Sequence, residues 1–157
     1  SQVALGLLFA QDPELLILDD FSMGLDPGYR RLFVEYLKEY ASAENKTVFL
    51  TSHIIQDMEL LIDDCMIMDY GRLLLHKPVD EIMSKFRRYR FVAPNDDFKI
   101  EADKDLWNPS VIGSKWEVYS FLPANDIAAK LGTFGINEIK EEKLSLEDAF
   151  IGLTGKY

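Results

Sequence analysis

Leu15-Leu16-Ile17-Leu18 is an unbroken apolar run of strand length that ends in two adjacent carboxylates, Asp19-Asp20. Apolar residues without alternation suit a strand covered on both faces, the habit of parallel sheets. A second run, residues 47–51, closes in Ser52-His53. Between them Tyr29, Leu32, Phe33, Tyr36, Leu37 and Tyr40 recur at helical spacing, the clearest amphipathic helix in the chain. Asp26 can cap that helix and Pro27 suits its first position. Strand, helix, strand in this order argues for parallel pairing through a crossover.

Residues 1–11 are apolar on most faces and suit a buried helix that stops at Asp12-Pro13. Ile54, Ile55, Met58, Leu61 and Ile62 space as a short helix, and residues 65–68 as a third strand of the same sheet. Asp69-Tyr70-Gly71-Arg72 then turns the chain into a hairpin with Leu73-Leu74-Leu75. Residues 78–86 read as a short helix. Beyond them the pattern changes to strand character at 89–92, 98–100 and 116–121, a helix at 125–134 and a weak strand at 136–139. Ser145-Leu146-Glu147-Asp148 opens a last helix as a variant capping box, and Gly155 stops it. An α/β part over 1–86, followed by a small α+β unit over 87–157, is the expected organisation.

Lys plus Arg number 17 against 27 Asp plus Glu, a net charge of −10 spread evenly along the chain. With no basic face to neutralise phosphates, nucleic acid is not an expected partner. Hydrophobic residues are 48% of the chain, enough for a core and too many for disorder. The longest apolar run, residues 3–10, is too short to cross a bilayer. Cys65 is the single cysteine, so an internal disulfide and Cys-based metal spacing are both excluded, and a reducing compartment is the natural reading. The opening residues have neither the basic stretch of a signal peptide nor an initiating Met, and read like the inside of a longer protein.

Three features carry chemistry, each with a plainer alternative. Asp19-Asp20, at the carboxyl end of a buried strand, stands where a hard cation is held and a water polarised; two acids also simply open a solvated loop. Gly24-Leu25-Asp26-Pro27 offers a tight turn and an acid that caps a helix or reaches a partner. His53 follows a buried strand, where an imidazole can donate to a phosphate oxygen or merely satisfy its neighbours. Arg87, Arg88 and Arg90, with Lys85, form a local basic cluster that suits lipid headgroups, a protein partner or a solvated linker.

Joint order and spacing distinguish these features from chance. Apolar strand, Asp19-Asp20, Gly-Leu-Asp-Pro, amphipathic helix and a second strand closing in Thr51-Ser52-His53 together resemble the C-terminal part of the ATP-binding subunit of ABC transporters. The segment Asp64-Cys65-Met66-Ile67-Met68-Asp69-Tyr70-Gly71-Arg72-Leu73 looks like the strand and hairpin that follow in that family. Ser145-Leu146-Glu147-Asp148-Ala149-Phe150 through Thr154-Gly155 looks like the ending of its drug- and peptide-export branch, which carries a small accessory domain there.

The resemblance implies the C-terminal part of a P-loop ATPase parallel sheet flanked by helices. It implies ATP and Mg²⁺ as cofactors, with Leu15 to Asp19 as the Walker B strand. Asp19 would bind Mg²⁺ through water; Asp20 would stand as the acid that orients and deprotonates the attacking water; His53 would sense the γ-phosphate; and Asp26 would contact a facing subunit. The implied partners are a second ATP-binding subunit and an integral membrane transport subunit, and the implied location is the cytoplasmic face of the cell membrane.

The family usually has Glu where this chain has Asp20, and commonly Pro where it has Phe21. One methylene draws the carboxylate back by about 1.5 Å, a displacement on the scale of ~100-fold in rate. No Gly-x-x-x-x-Gly-Lys-Ser/Thr occurs, so the backbone cradle for phosphates is not in this chain, which is not expected to turn over ATP alone. Leu15 to Leu18 and the first helix should accordingly stand partly uncovered. Two other readings use the same residues: a non-catalytic regulatory half, and a non-transport ATPase of the same superfamily.

Overall fold

The computed structural model describes residues 2–155 apart from 22, 44 and 57. They fall into two units, Ser1–Ile62 and Asp63–Tyr157. The resemblance places a boundary after residue 86; compactness places the hairpin and the helix that follows it with the second unit.

The first unit runs α1 (Gln2–Ala10), β1 (Leu15–Asp19), α2 (Pro27–Ala43) and β2 (Thr47–Thr51). Strands β1 and β2 pair in parallel, Leu15 opposite Thr47 through Asp19 opposite Thr51, as strand–helix–strand patterning requires. Asp26 caps α2: its Oδ1 accepts from the Gly28 and Tyr29 amides at 3.0 and 3.2 Å. Leu16 and Leu18 are buried with Phe21, Val34, Leu37 and Met58. Phe9 of α1 packs its ring against Phe33, Tyr36 and Tyr40 of α2 at centroid distances of 5.9, 5.0 and 5.0 Å.

Leu15 to Leu18 and the first helix stand partly uncovered, as expected of this chain, and one expectation, the helix over 54–62, changes. β1 is covered on one face only, since Leu15 and Ile17 are 51% and 68% exposed beside Phe49 at 53%. The period-two alternation of a strand puts these side chains together on the face away from Leu16 and Leu18. α1 is likewise part-covered, with Val3 and Leu7 exposed; Ser1, expected in this helix, lies outside the described residues. The short helix expected over 54–62 is a series of turns, with amides at Met58 and Leu61 bonded three residues back, to Ile55 and Met58; residue 57 lies outside the described residues. After Ser52-His53 the paired β-branched residues Ile54-Ile55 favour extended backbone over a helical start.

The second unit begins with a hairpin, β3 (Asp64–Asp69) and β4 (Arg72–Pro78), antiparallel and bulged between Ile67 and Met68. Tyr70 and Gly71 at the tip both have positive φ, +44° and +73°, the backbone that a two-residue hairpin loop demands. β3 was expected as a third strand of the parallel sheet; among the described residues it pairs with β4, antiparallel across the tight turn. There follow α3 (Val79–Lys85), β5 (Arg87–Val92), β6 (Trp107–Ile112), β7 (Lys115–Ser120), α4 (Ala124–Gly132), β8 (Lys140–Lys143) and α5 (Leu146–Thr154).

Four strands form one antiparallel sheet in the order β6-β7-β5-β8. Tyr89, Phe91 and Val118 on one face are buried with Ile100, Leu106, Ile136 and the α4 residues Ile127 and Leu131. The strands expected at 98–100 and 136–139 are irregular: Ile100 and Ile136 supply side chains to that core without joining a ladder. The strands that do form, β6 and β8, are the two edges. Pro109 lies in β6, where the register shifts between Trp107 and Ser110, as an edge permits.

The arginines of the cluster pair with acids of their own sheet. Arg87 pairs with Glu141 at 3.3 Å, Arg88 with Glu142 at 3.0 Å, and Arg90 with Glu117 at 3.2 Å and Glu142 at 3.1 Å. These pairs tie the charged edge strand β8 and the adjacent β7 to β5. The last helix follows expectation: Ser145 Oγ accepts the Asp148 amide at 3.1 Å, and Gly155 ends it at φ +66°.

Candidate functional site at the β1–β2 rim

Parallel pairing with Asp19 opposite Thr51 brings the carboxyl ends of β1 and β2 to the same level. Asp19 is the last strand residue and is exposed. Its Oδ1 accepts the Thr51 hydroxyl. The next residue leaves the strand sharply: Asp20 has φ +43°, left-handed backbone that an L-residue other than Gly seldom adopts, though Asp tolerates it better than most. The conformation is held by its amide, which donates to both the backbone carbonyl and the hydroxyl of Thr51, each at 3.1 Å. Its own carbonyl accepts from the Met23 amide at 3.0 Å and starts the turn toward α2.

Just past β2, Ser52 Oγ accepts the Ile54 amide at 3.0 Å, a local turn that swings the chain back over the rim. His53 thereby meets the first strand: its Nδ1 lies 2.8 Å from Asp20 Oδ1. The Asp20 side chain is 27% exposed and the imidazole 65% exposed, so the pair has a wet outer edge available to a ligand.

Asp19, Asp20 and His53 therefore share one rim, as expected from the order of the motifs. Asp26 stands apart from them in sequence and bonding, at the start of α2, with Oδ1 committed to the helix amides. Thr51 was not singled out as a site residue. The signal was its register opposite Asp19, which appears only once the pairing of β1 and β2 is fixed. Among the described residues no group of three or more His, Cys, Asp or Glu side chains gathers to hold a metal. An apolar groove of the first unit is lined by Phe9, Leu25, Tyr29, Leu32, Phe33 and Tyr36, and the rim acids are not part of it. Among the described residues no helix is long and apolar enough to cross a membrane.

A family model described as "AAA domain, putative AbiEii toxin, Type IV TA system" matches residues 1–56, the segment that carries the whole rim. A Nod factor export ATP-binding protein of Cupriavidus metallidurans is 32% identical over 150 residues, covering 92% of this chain and 48% of that protein. A bacitracin transport ATP-binding protein of Bacillus licheniformis is 28% identical over 158 residues, covering 91% and 49%. An energy-coupling factor transporter ATP-binding protein of Lactobacillus johnsonii is 39% identical over 83 residues, covering 53% and 28%. The chain spans about half the length, or less, of these relatives.

Proposed function

We propose, for a chain that is a relative of ABC transporter ATP-binding proteins over 92% of its residues, that it is the C-terminal portion of such a subunit and completes one side of an ATP site. In this reading residues 1–86 close a P-loop ATPase sheet after its phosphate loop, and residues 87–157 form an accessory domain. The intact protein couples ATP binding and hydrolysis to export through an integral membrane partner, paired with a second ATP-binding subunit at the inner face of the membrane. The single observation that carries this is the Asp20–His53 contact of 2.8 Å beside Asp19, at the rim where α/β sheets receive ligands.

Each side chain has a task that its contacts support. Asp19 is a hard, exposed oxygen donor already oriented by Thr51, and it would hold Mg²⁺ through water. The ion, when bound, neutralises charge on phosphate oxygens. Asp20 gives one oxygen to His53 and keeps the other to take a proton from the attacking water. His53, with Nδ1 held against Asp20, turns the exposed edge of its ring toward the γ-phosphate. Asp26 fixes the first turn of α2 and presents its loop to the facing subunit.

Steady-state ATP turnover by the intact subunit with its membrane partner tests this. Asp20→Asn keeps the shape of the side chain and removes its basicity, so turnover should fall by roughly 100-fold or more. The regulatory reading draws on Asp20 standing where the family usually has Glu; it requires Asp20→Asn to leave turnover by the assembled transporter unchanged.

A further inference from the structure

We infer that Thr51 is a positioning residue for both acids of the rim, setting through one hydroxyl the oxygen that Asp19 offers to a cation and the backbone turn that aims Asp20. This rests on the ATP-site reading above.

The hydroxyl has one proton to give and lone pairs to receive, and both capacities are used. Its proton goes to Asp19 Oδ1, while the oxygen accepts the Asp20 amide at 3.1 Å. Occupying Oδ1 leaves the second oxygen of Asp19 as the one offered outward, which makes the acid a one-oxygen donor of fixed orientation. Receiving the Asp20 amide supports left-handed backbone at φ +43°. That backbone determines where the Asp20 carboxylate points, and hence its contact with His53 Nδ1. Consecutive acids leave an extended strand on opposite sides; the reversal at Asp20 is what lets both serve one rim. A threonine in register with the first acid can reach the side chain of one and the amide of the next, and its branched carbon suits the strand end.

The inference predicts unequal effects for two conservative changes in the full-length protein. Thr51→Val keeps shape and β-branching but removes both hydrogen bonds, and a hydrogen bond to a charged group sets the scale: kcat should fall roughly 10-fold. The half-saturating Mg²⁺ concentration for binding a non-hydrolysable ATP analogue, followed by fluorescence, should rise by roughly the same factor. Thr51→Ser keeps the hydroxyl and should stay near wild type in both. Thr47→Val makes the same exchange at the other end of β2, opposite Leu15, and should change neither.

A Thr51→Val protein with wild-type turnover and Mg²⁺ dependence, alongside an inactive Asp20→Asn, overturns the inference and leaves the ATP-site reading standing. Equal impairment of Thr51→Ser and Thr51→Val also overturns it, because the hydroxyl would then not be the operative group. Full turnover in Asp20→Asn selects the regulatory reading over the catalytic one, and the Mg²⁺ dependence of analogue binding by Thr51→Val still decides whether Thr51 acts on Asp19.

Discussion

Gly152 of α5 lies under Tyr119 so closely that a Cβ placed on it would sit 2.4 Å from ring Cδ1 and 2.8 Å from Cγ. Those atoms are near the root of a ring that is 2% exposed, so the ring has nowhere to swing. Ala in place of a helical Gly ordinarily adds about 0.5–1 kcal/mol of stability. Here overpacking should win, and Gly152→Ala should lower urea-unfolding stability by about 1–3 kcal/mol. Unchanged or raised stability would mean that α5 shifts away from the sheet at little cost. Cys65 carries a residue-scale expectation of the opposite kind, inertness. Burial pushes its thiol up from the ordinary range, which starves it of the thiolate that reacts. Labelling by a disulfide reagent at pH 7 should be much slower than for a free thiol, and fast stoichiometric labelling would contradict the half-buried placement in β3.

At the scale of the element, what the sequence discloses depends on whether an element's signal is local. Ser145 and Gly155 bracket α5, and Asp26-Pro27 opens α2, because caps are made within four residues of chain. The rim was legible for a related reason: each of its acids and its histidine terminates an apolar run. Thr51 was not, since its role is fixed by register across β1 and β2 and not by its neighbours in sequence. β8 was hidden more completely. Lys-Glu-Glu-Lys carries no apolar periodicity, and it is a strand because three arginines of β5 meet its acids. Those pairs make the edge sensitive to acid. Hydrogen bonding from Lys140, assisted by Arg88, holds the Glu142 carboxyl below its ordinary 4.5 against the opposing effect of burial. A carboxyl lowered on folding contributes stability above its unfolded pKa and loses it as pH falls through the folded one. Urea midpoints should therefore drop on acidification below pH 4.5, and Glu142→Gln should drop less over that range. An identical acid profile in the variant would mean that the edge is held by backbone bonds alone.

Over the whole molecule, the two sheet types bury their apolar material to different degrees. The antiparallel sheet of the second unit packs one face into a core and lays paired charges along part of the other, a balance that such sheets tolerate in water. The parallel pair β1–β2 does not reach that balance. Leu15 and Ile17, with Phe49 in register opposite Ile17, form a contiguous apolar face that stays exposed, although parallel strands are ordinarily covered on both sides. A chain spanning about half of its relatives, studied by itself, should lower this cost by pairing such faces. Sedimentation velocity of the 157-residue chain should show association that grows with concentration. Ile17→Lys with Phe49→Lys changes only exposed positions and should return it to monomer without loss of helical signal. In the full-length subunit the sign reverses: if the rest of the ATPase domain covers this face, the same pair of lysines should destabilise the fold. Association that persists in the double variant would place the sticky surface elsewhere, on the exposed Met66, Met68 and Leu73 of the hairpin.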